Sequence, residues 1–306
     1  MGNGYRLAMV LLLTVFCANH AAGQQIQPTE RWASTIAEKY AIYPDVTYGV
    51  ANNYALKLDV WQRKDAKTPP PTLIYYHGGG WIFGDRTGAT LYFLPYLAMG
   101  WNVINVEYRM ASVSPAPAAV EDCRCALRWA VRNAKQYNID TKKIVLTGHS
   151  AGGHLSLIAG MLPEGTGLDN NCYAASKYGD VKIEVAAIVN WYGVSDVNDL
   201  IQGPNLKNYS MMWLGSQTDA EATAKRVSPL NYVRAGLPPV FTIHGDHDDV
   251  VPYDQSVRLH KALTAAGVSN ELVTIKGGGH GQFSDAQLED AYAKLYAFLR
   301  EHGLLQ

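Results

Sequence analysis

The 306-residue chain has no apolar run of about 18 or more residues, the length a membrane span needs. It also lacks a block of basic residues, and its formal net charge is −1. With no electrostatic footprint for a polyanion, nucleic acid and a polybasic membrane contact are excluded as partners. Neither H-E-x-x-H nor paired Cys-x-x-Cys occurs, so no metal or cofactor is expected. Internal repeats are absent, and no linker separates a second domain.

Cysteine is scarce, at four residues. Cys17 falls in an N-terminal stretch that reads as a secretory leader. Arg6 supplies its positive end, Leu7 to Ala18 its apolar segment, and Ala21-Ala22-Gly23 a small-residue cleavage site. Residues 1–23 are expected to be removed, leaving a secreted or periplasmic chain, 24–306, with no stable membrane insertion. Cys123, Cys125 and Cys172 remain. An odd count outside the cytoplasm suggests one bridge and one free thiol, against the alternative of three free thiols. On a helix whose buried face carries Val120, Leu127, Ala130, Val131 and Ala134, Cys123 lies inward and Cys125 points away beside Trp129. Cys125 is therefore the candidate to bridge Cys172.

What the sequence does have is an alternation of apolar runs and helical patterns. Val46–Val50 and Leu56–Trp61 flank Asn52-Asn53 as a hairpin. Apolar runs follow at Thr72–Tyr76, Asn102–Val106, Ile144–Thr147, Val185–Asn190, Val240–His244 and Glu271–Ile275. Helical patterns lie near 87–99, 117–137, 153–162, 254–266 and 285–302. This rhythm implies a mostly parallel α/β sheet with helices on both faces and an antiparallel N-terminal hairpin at one edge. Residues 194–236 break it. They hold Asp196, Asp199, Pro204, Tyr209, Met211, Met212, Trp213 and Pro229, and read as a cap over a site at the sheet edge.

Gly148-His149-Ser150-Ala151-Gly152 directly follows the run Ile144–Thr147 and precedes a helix. This is the strand–turn–helix context of the G-x-S-x-G nucleophile elbow. A serine hydroxyl needs a base in hydrogen-bond reach, and the base needs an acid to orient it. His280, in the glycine loop 277–281 after the last strand run, is the candidate base, with His247 the competitor. Asp246, Asp248 and Asp249 crowd the loop after the preceding strand run. His77-Gly78-Gly79-Gly80-Trp81 follows Thr72–Tyr76, where bare backbone N–H groups could approach a substrate oxygen.

Together these motifs resemble the α/β-hydrolase fold, in particular the hormone-sensitive-lipase-like and bacterial feruloyl-esterase-like carboxylesterases. The match runs over about residues 44–302 and includes Glu107-Tyr108-Arg109 and Pro117–Asp122. The resemblance implies one catalytic domain over 24–306, with Ser150, Asp248 and His280 as a triad. Asp248 is the second aspartate of an H-G-D-x-D-x-x-V-P pattern at 244–252. It further implies an oxyanion hole from the N–H groups of Gly79, Gly80 and Ala151. Trp81, Trp191, Tyr192 and Trp213 are expected as substrate-binding walls, for a feruloyl or acetyl ester of plant polysaccharide or a short-chain ester. An amidase or formamidase of the same fold is the alternative activity, and a binding protein on a hydrolase scaffold the non-enzymatic one. The oligomeric state is left open.

Overall fold

The computed structural model describes residues 28–168, 172 and 181–306. The expected leader lies outside these residues, as does most of the loop around Cys172. Helix α1 (Pro28–Lys39) is a unit by itself. Glu30 in its first turn and Lys39 in its last oppose the helix dipole. Among the described residues no helix is long and apolar enough to cross a membrane.

Residues Tyr40–Gln306 form the second unit. Its strands are β1 (Tyr40–Ala51), β2 (Tyr54–Arg63), β3 (Thr72–Tyr76), β4 (Asn102–Val106), β5 (Ile144–His149), β6 (Ala187–Trp191), β7 (Val240–Gly245) and β8 (Asn270–Ile275). They form one eight-stranded sheet in the order β1-β2-β4-β3-β5-β6-β7-β8. β1 and β2 pair antiparallel, as do β2 and β4; every other pairing is parallel. This is the α/β-hydrolase architecture expected from the sequence. Asn52 and Asn53, at φ 51° and 63°, close the first hairpin. Two left-handed residues suit a two-residue turn whose twist matches its strands.

The remaining helices are α2 (Leu94–Ala98), α3 (Ala118–Arg132), α4 (Ala151–Met161), α5 (Asn208–Leu214), α6 (Ala220–Arg226), α7 (Asp254–Ala265) and α8 (Asp285–Glu301). The central strands are apolar on both faces because both are covered. Tyr76 donates its hydroxyl to the Cys123 carbonyl on α3, whereas Tyr75, facing the other way, packs on Phe93 beside α2. Phe241 of β7 meets Phe298 of α8. Leu157 and Met161 of α4 share a cluster with Leu259 and Leu263 of α7.

Three expectations need correction. The helical pattern at 87–99 is a 3-10 turn over Thr90–Phe93 followed by the short α2. The Asp85 carboxylate captures the Gly88 N–H, and Pro95 has no N–H to continue a helix through. Cys125 does not point away from the core. It is bonded to Cys172, with Cα atoms 4.8 Å apart, and both are buried, while Cys123 is a buried free thiol. α3 is enclosed nearly all round, because α4, Glu164 and Cys172 meet its polar side. Arg124 donates to the Ala159 carbonyl, and Arg128 pairs with Glu164. Residues 194–236 also do more than cover. Val197, Leu200, Trp213, Leu214, Ala224 and Val227 belong to the main core, whereas Met211 and Met212 are exposed.

One buried ion pair fixes the path from β4 into α3. Arg109 donates Nε and Nη2 to the Asp122 carboxylate, at 2.7–3.1 Å, and adds its backbone N–H at 2.8 Å. Asp122 is buried and Glu121 approaches the same guanidinium. Asp122→Asn keeps the shape and leaves the buried guanidinium undercompensated. It should lower unfolding stability by about 3 kcal/mol, read as a shifted midpoint in urea. An unchanged midpoint would show that Glu121 replaces the lost charge.

Candidate active site

The parallel strands deliver their following loops to one edge of the sheet, beside the switch where β3 has β4 on one flank and β5 on the other. Ser150 sits between β5 and α4 with φ 57° and ψ −118°. That conformation costs a non-glycine residue on the order of 1–3 kcal/mol. Backbone bonds hold it: the Ser150 N–H donates to the Trp191 carbonyl at 2.9 Å, and its carbonyl accepts from the His154 N–H at 3.0 Å. A Cβ on Gly152 would run into the Tyr76 carbonyl, so only glycine lets α4 start this close to β3. The strained turn leaves Ser150 partly exposed.

Asp248 lies in the loop after β7. One carboxylate oxygen accepts the Val250 and Val251 N–H groups, each at 2.8 Å. The other faces His280 Nδ1 at 2.7 Å and His244 Nε2 at 3.2 Å. A carboxylate can only accept, so His280 carries its proton on Nδ1 and leaves the Nε2 lone pair free. His244 Nε2 also faces the Val251 carbonyl, and its Nδ1 faces the Ser256 hydroxyl at 2.7 Å. Burial alone would push the Asp248 carboxyl up; the bonds from His244 and His280 win and hold it well below the usual carboxylate range. Among the described residues no hydrogen bond joins the Ser150 hydroxyl to His280; such contacts often tighten only with substrate bound.

The competing groups lie elsewhere. Asp246 accepts the Gly277 N–H at 2.7 Å, and Asp249 is exposed. His247 is exposed and pairs with Asp246. His244, which ends the run Val240–His244, is a partner of Asp248 that the sequence pattern does not single out. Its one signal is a spacing of four residues, from the end of β7 to Asp248 in the loop that follows.

The loop from His77 to Trp81 runs along the Ser150 turn. Gly79, Gly80 and Trp81 all have positive φ, at 119°, 59° and 62°. A Cβ on Gly78 would stand 2.8 Å from the His149 carbonyl. His77 stacks on Tyr108 at 4.3 Å, and the Tyr108 hydroxyl donates to the His77 carbonyl. The Gly79 carbonyl accepts the Ile82 and Phe83 N–H groups, which turns the loop back.

The aromatic walls are where the structure departs most from expectation. Trp81 and Trp213 are both 0% exposed and stack on each other at 4.1 Å. They are core, not pocket. Trp81 Nε1 donates to His154 Nδ1 at 3.1 Å, and His154 Nε2 donates to the Val227 carbonyl at 2.7 Å. Trp191 and Tyr192 are buried too, but they back the site: Trp191 stacks on His149, and Tyr192 lies edge-on to His280. Tyr209 of α5 packs over Gly80 and donates its hydroxyl to the Val250 carbonyl, so one side chain spans the glycine loop and the Asp248 loop. The large apolar groups left exposed include Phe83, Leu91, Tyr92, Met211 and Met212. Among the described residues no cluster of three or more His, Cys, Asp or Glu could hold a metal ion.

A family model described as BD-FAE matches residues 58–263. Esterase LipC of Mycobacterium tuberculosis is 32% identical over 246 residues, which is 77% of this chain and 59% of that protein. Among solved structures, a truncated carbohydrate esterase from gut microbiota aligns with a TM-score of 0.70 at 26% identity, covering 86% of this chain and 97% of that one. Butyrate-bound Est2 of Thermogutta terrifontis gives 0.72 at 25% identity, covering 87% and 95%. The chain spans only a little over half the length of the first curated relatives.

Two outcomes are expected. Trp213→Ala removes a fully buried indole and should cost about 3–5 kcal/mol of stability, while the rates on different esters fall by a common factor. A reordering of ester preference without a drop in melting temperature would return Trp213 to the pocket wall. The second outcome concerns acid. Burial pushes His149 down to about 3, and His154 and His260 down to about 4. Their unfolded values are about 6.5, so on acidification the unfolded chain takes up protons first. Their contribution is complete above about pH 6.5 and shrinks toward pH 4. The melting temperature should fall across that window, and less steeply in His154→Gln. A flat profile from pH 7 to 4.5 would reject the linkage.

Proposed function

The chain belongs to the BD-FAE family, and from that premise we propose that it hydrolyses carboxylic esters through an acyl-enzyme on Ser150. The observation that carries this reading is the His280–Asp248 hydrogen bond, at 2.7 Å, beside a serine on a strained turn. His280 Nε2 takes the Ser150 proton as Oγ attacks the ester carbonyl. The N–H groups of Gly79, Gly80 and Ala151 receive the developing oxyanion. The C–O bond to the alcohol breaks, and His280 returns the proton to the leaving oxygen. Water, activated by the same imidazole, then releases the acid. Asp248 fixes the His280 tautomer and stabilises the imidazolium; its low pKa keeps it ionised throughout.

The proposed substrates are feruloyl or acetyl esters of plant polysaccharide, or short-chain esters. The carbohydrate esterase and butyrate-bound structures support that range. Residues 1–23 act as an export leader in this reading, and the Cys125–Cys172 disulfide suits an oxidising compartment. Methyl ferulate, acetylated xylan and p-nitrophenyl esters of rising chain length would rank the substrates. An aryl formamide in the same panel separates amidase from esterase.

Ser150→Ala should lower kcat by on the order of 10^4-fold with the fold intact. A folded variant keeping a tenth of the wild-type rate would sink the assignment. Asp248→Asn should cost on the order of 10^3- to 10^4-fold, and Asp246→Asn far less. The reverse order would move the acid to Asp246.

A further inference from the structure

The mechanism above leaves His149 without a task, although it directly precedes the nucleophile. Its Nδ1 lies 2.9 Å from the hydroxyl of Tyr75. Tyr75 is buried, and its hydroxyl has no other hydrogen-bond partner among the described residues. A buried hydroxyl that only accepted would leave its own proton unpaired, at a cost of about 1–3 kcal/mol. Tyr75 therefore donates, Nδ1 accepts, and His149 carries its proton on Nε2. Among the described residues nothing accepts that Nε2–H, and the side chain is half-buried rather than sealed.

The ring is also held in place. Trp191 stacks on it at 5.2 Å and 19°, and Tyr192 meets it edge-on at 5.6 Å. Tyr92 leans on it at 4.5 Å. Unlike the two residues behind, Tyr92 is 52% exposed. It projects from the 3-10 turn Thr90–Phe93. The result is an oriented donor flanked by an exposed aromatic ring, next to Ser150. Burial and the His280 charge push His149 down to about 3, so it stays neutral and does not compete with His280 for the serine proton.

We propose that Tyr92 and His149 form a specificity subsite for a six-membered ring bearing an oxygen acceptor, the face of the ring packing against Tyr92 and the oxygen taking the His149 Nε2–H. The inference rests on the ester-hydrolase reading and deepens it. A straight alkyl chain would use the apolar contact and leave the donor unpaired, whereas an oxygenated ring uses both. Such a ring could sit on the acyl side, as in a hydroxycinnamoyl ester, or on the alcohol side, as in an acetylated sugar.

The test compares methyl ferulate, acetylated xylose and the ring-free ester vinyl acetate. The readout is the ratio of kcat/KM for each ring-bearing ester to that for vinyl acetate. Tyr92→Ala alters an exposed residue and should lower the ratio by about tenfold for one ring-bearing ester, mainly through KM. Which ester responds tells the acyl from the alcohol source. His149→Leu should lower the same ratio, and His149→Gln, which keeps an N–H donor, should restore part of it. Leu91→Ala, an exposed neighbour on the same turn, should change it less than about twofold. Ratios unchanged in Tyr92→Ala and His149→Leu, or altered equally by Leu91→Ala, would overturn the subsite while leaving the esterase reading intact. Wild-type inactivity on all three esters would overturn that reading and the subsite with it.

Discussion

The hydrogen bond from the Trp81 indole to His154 Nδ1 ties together the parts on which the site depends. Trp81 ends the glycine loop, and His154 lies one turn into the helix that Ser150 begins. The other His154 nitrogen holds the Val227 carbonyl of the 194–236 excursion, and Trp213 from that excursion stacks on Trp81. Three segments far apart in sequence therefore converge on one imidazole. Both ring nitrogens are satisfied in a single neutral tautomer. A second proton, placed on Nδ1, would face the indole N–H directly. The position of the glycine loop relative to the nucleophile is thus set by a group that must stay uncharged, and burial keeps it so.

A different logic governs the acid. Asp248 is buried against two imidazoles and two backbone N–H groups. In the proposed reaction His280 keeps Nδ1 on the carboxylate and works through Nε2. His244, anchored on Ser256, supplies a second donor to the same oxygen. The backbone donors fill the far oxygen. In the proposed reaction the carboxylate stays ionised and fixed while His280 gains and loses a proton.

The sheet and its connections were legible in the sequence because buried parallel strands are short continuous apolar runs, and all seven pairings here involve such a run or the hairpin beside it. The elbow and the His280 loop were legible because tight turns demand glycine locally. What failed was everything decided at a distance. Whether a tryptophan next to a glycine loop faces a pocket or the core depends on what covers it, and Trp213 lies over a hundred residues away. Cys125 looked outward because a helix was given one buried face, yet α4, Glu164 and Cys172 meet the other. His244 drew no notice because a strand end gives no hint of the turn that brings Asp248 back onto it. Between Asp246, Asp248 and Asp249, composition could not choose; the backbone path of the loop does.

Backbone strain completes this picture. Trp81, Ser150 and Tyr192 follow the neighbouring strands β3, β5 and β6, and all three have positive φ. Such residues persist only where their surroundings over-determine them. Each is pinned by a bond to another segment: the Trp81 carbonyl accepts from Ala111, Ser150 donates to Trp191, and Tyr192 donates to Ile243. Ser150 and Tyr192 are thus linked across the sheet edge, since Ser150 bonds the residue just before Tyr192. A site built this way has little freedom to reshape itself around a substrate. Its buried aromatics fix geometry, and discrimination falls to the few side chains that rise from the edge without being locked into it, Tyr92 among them.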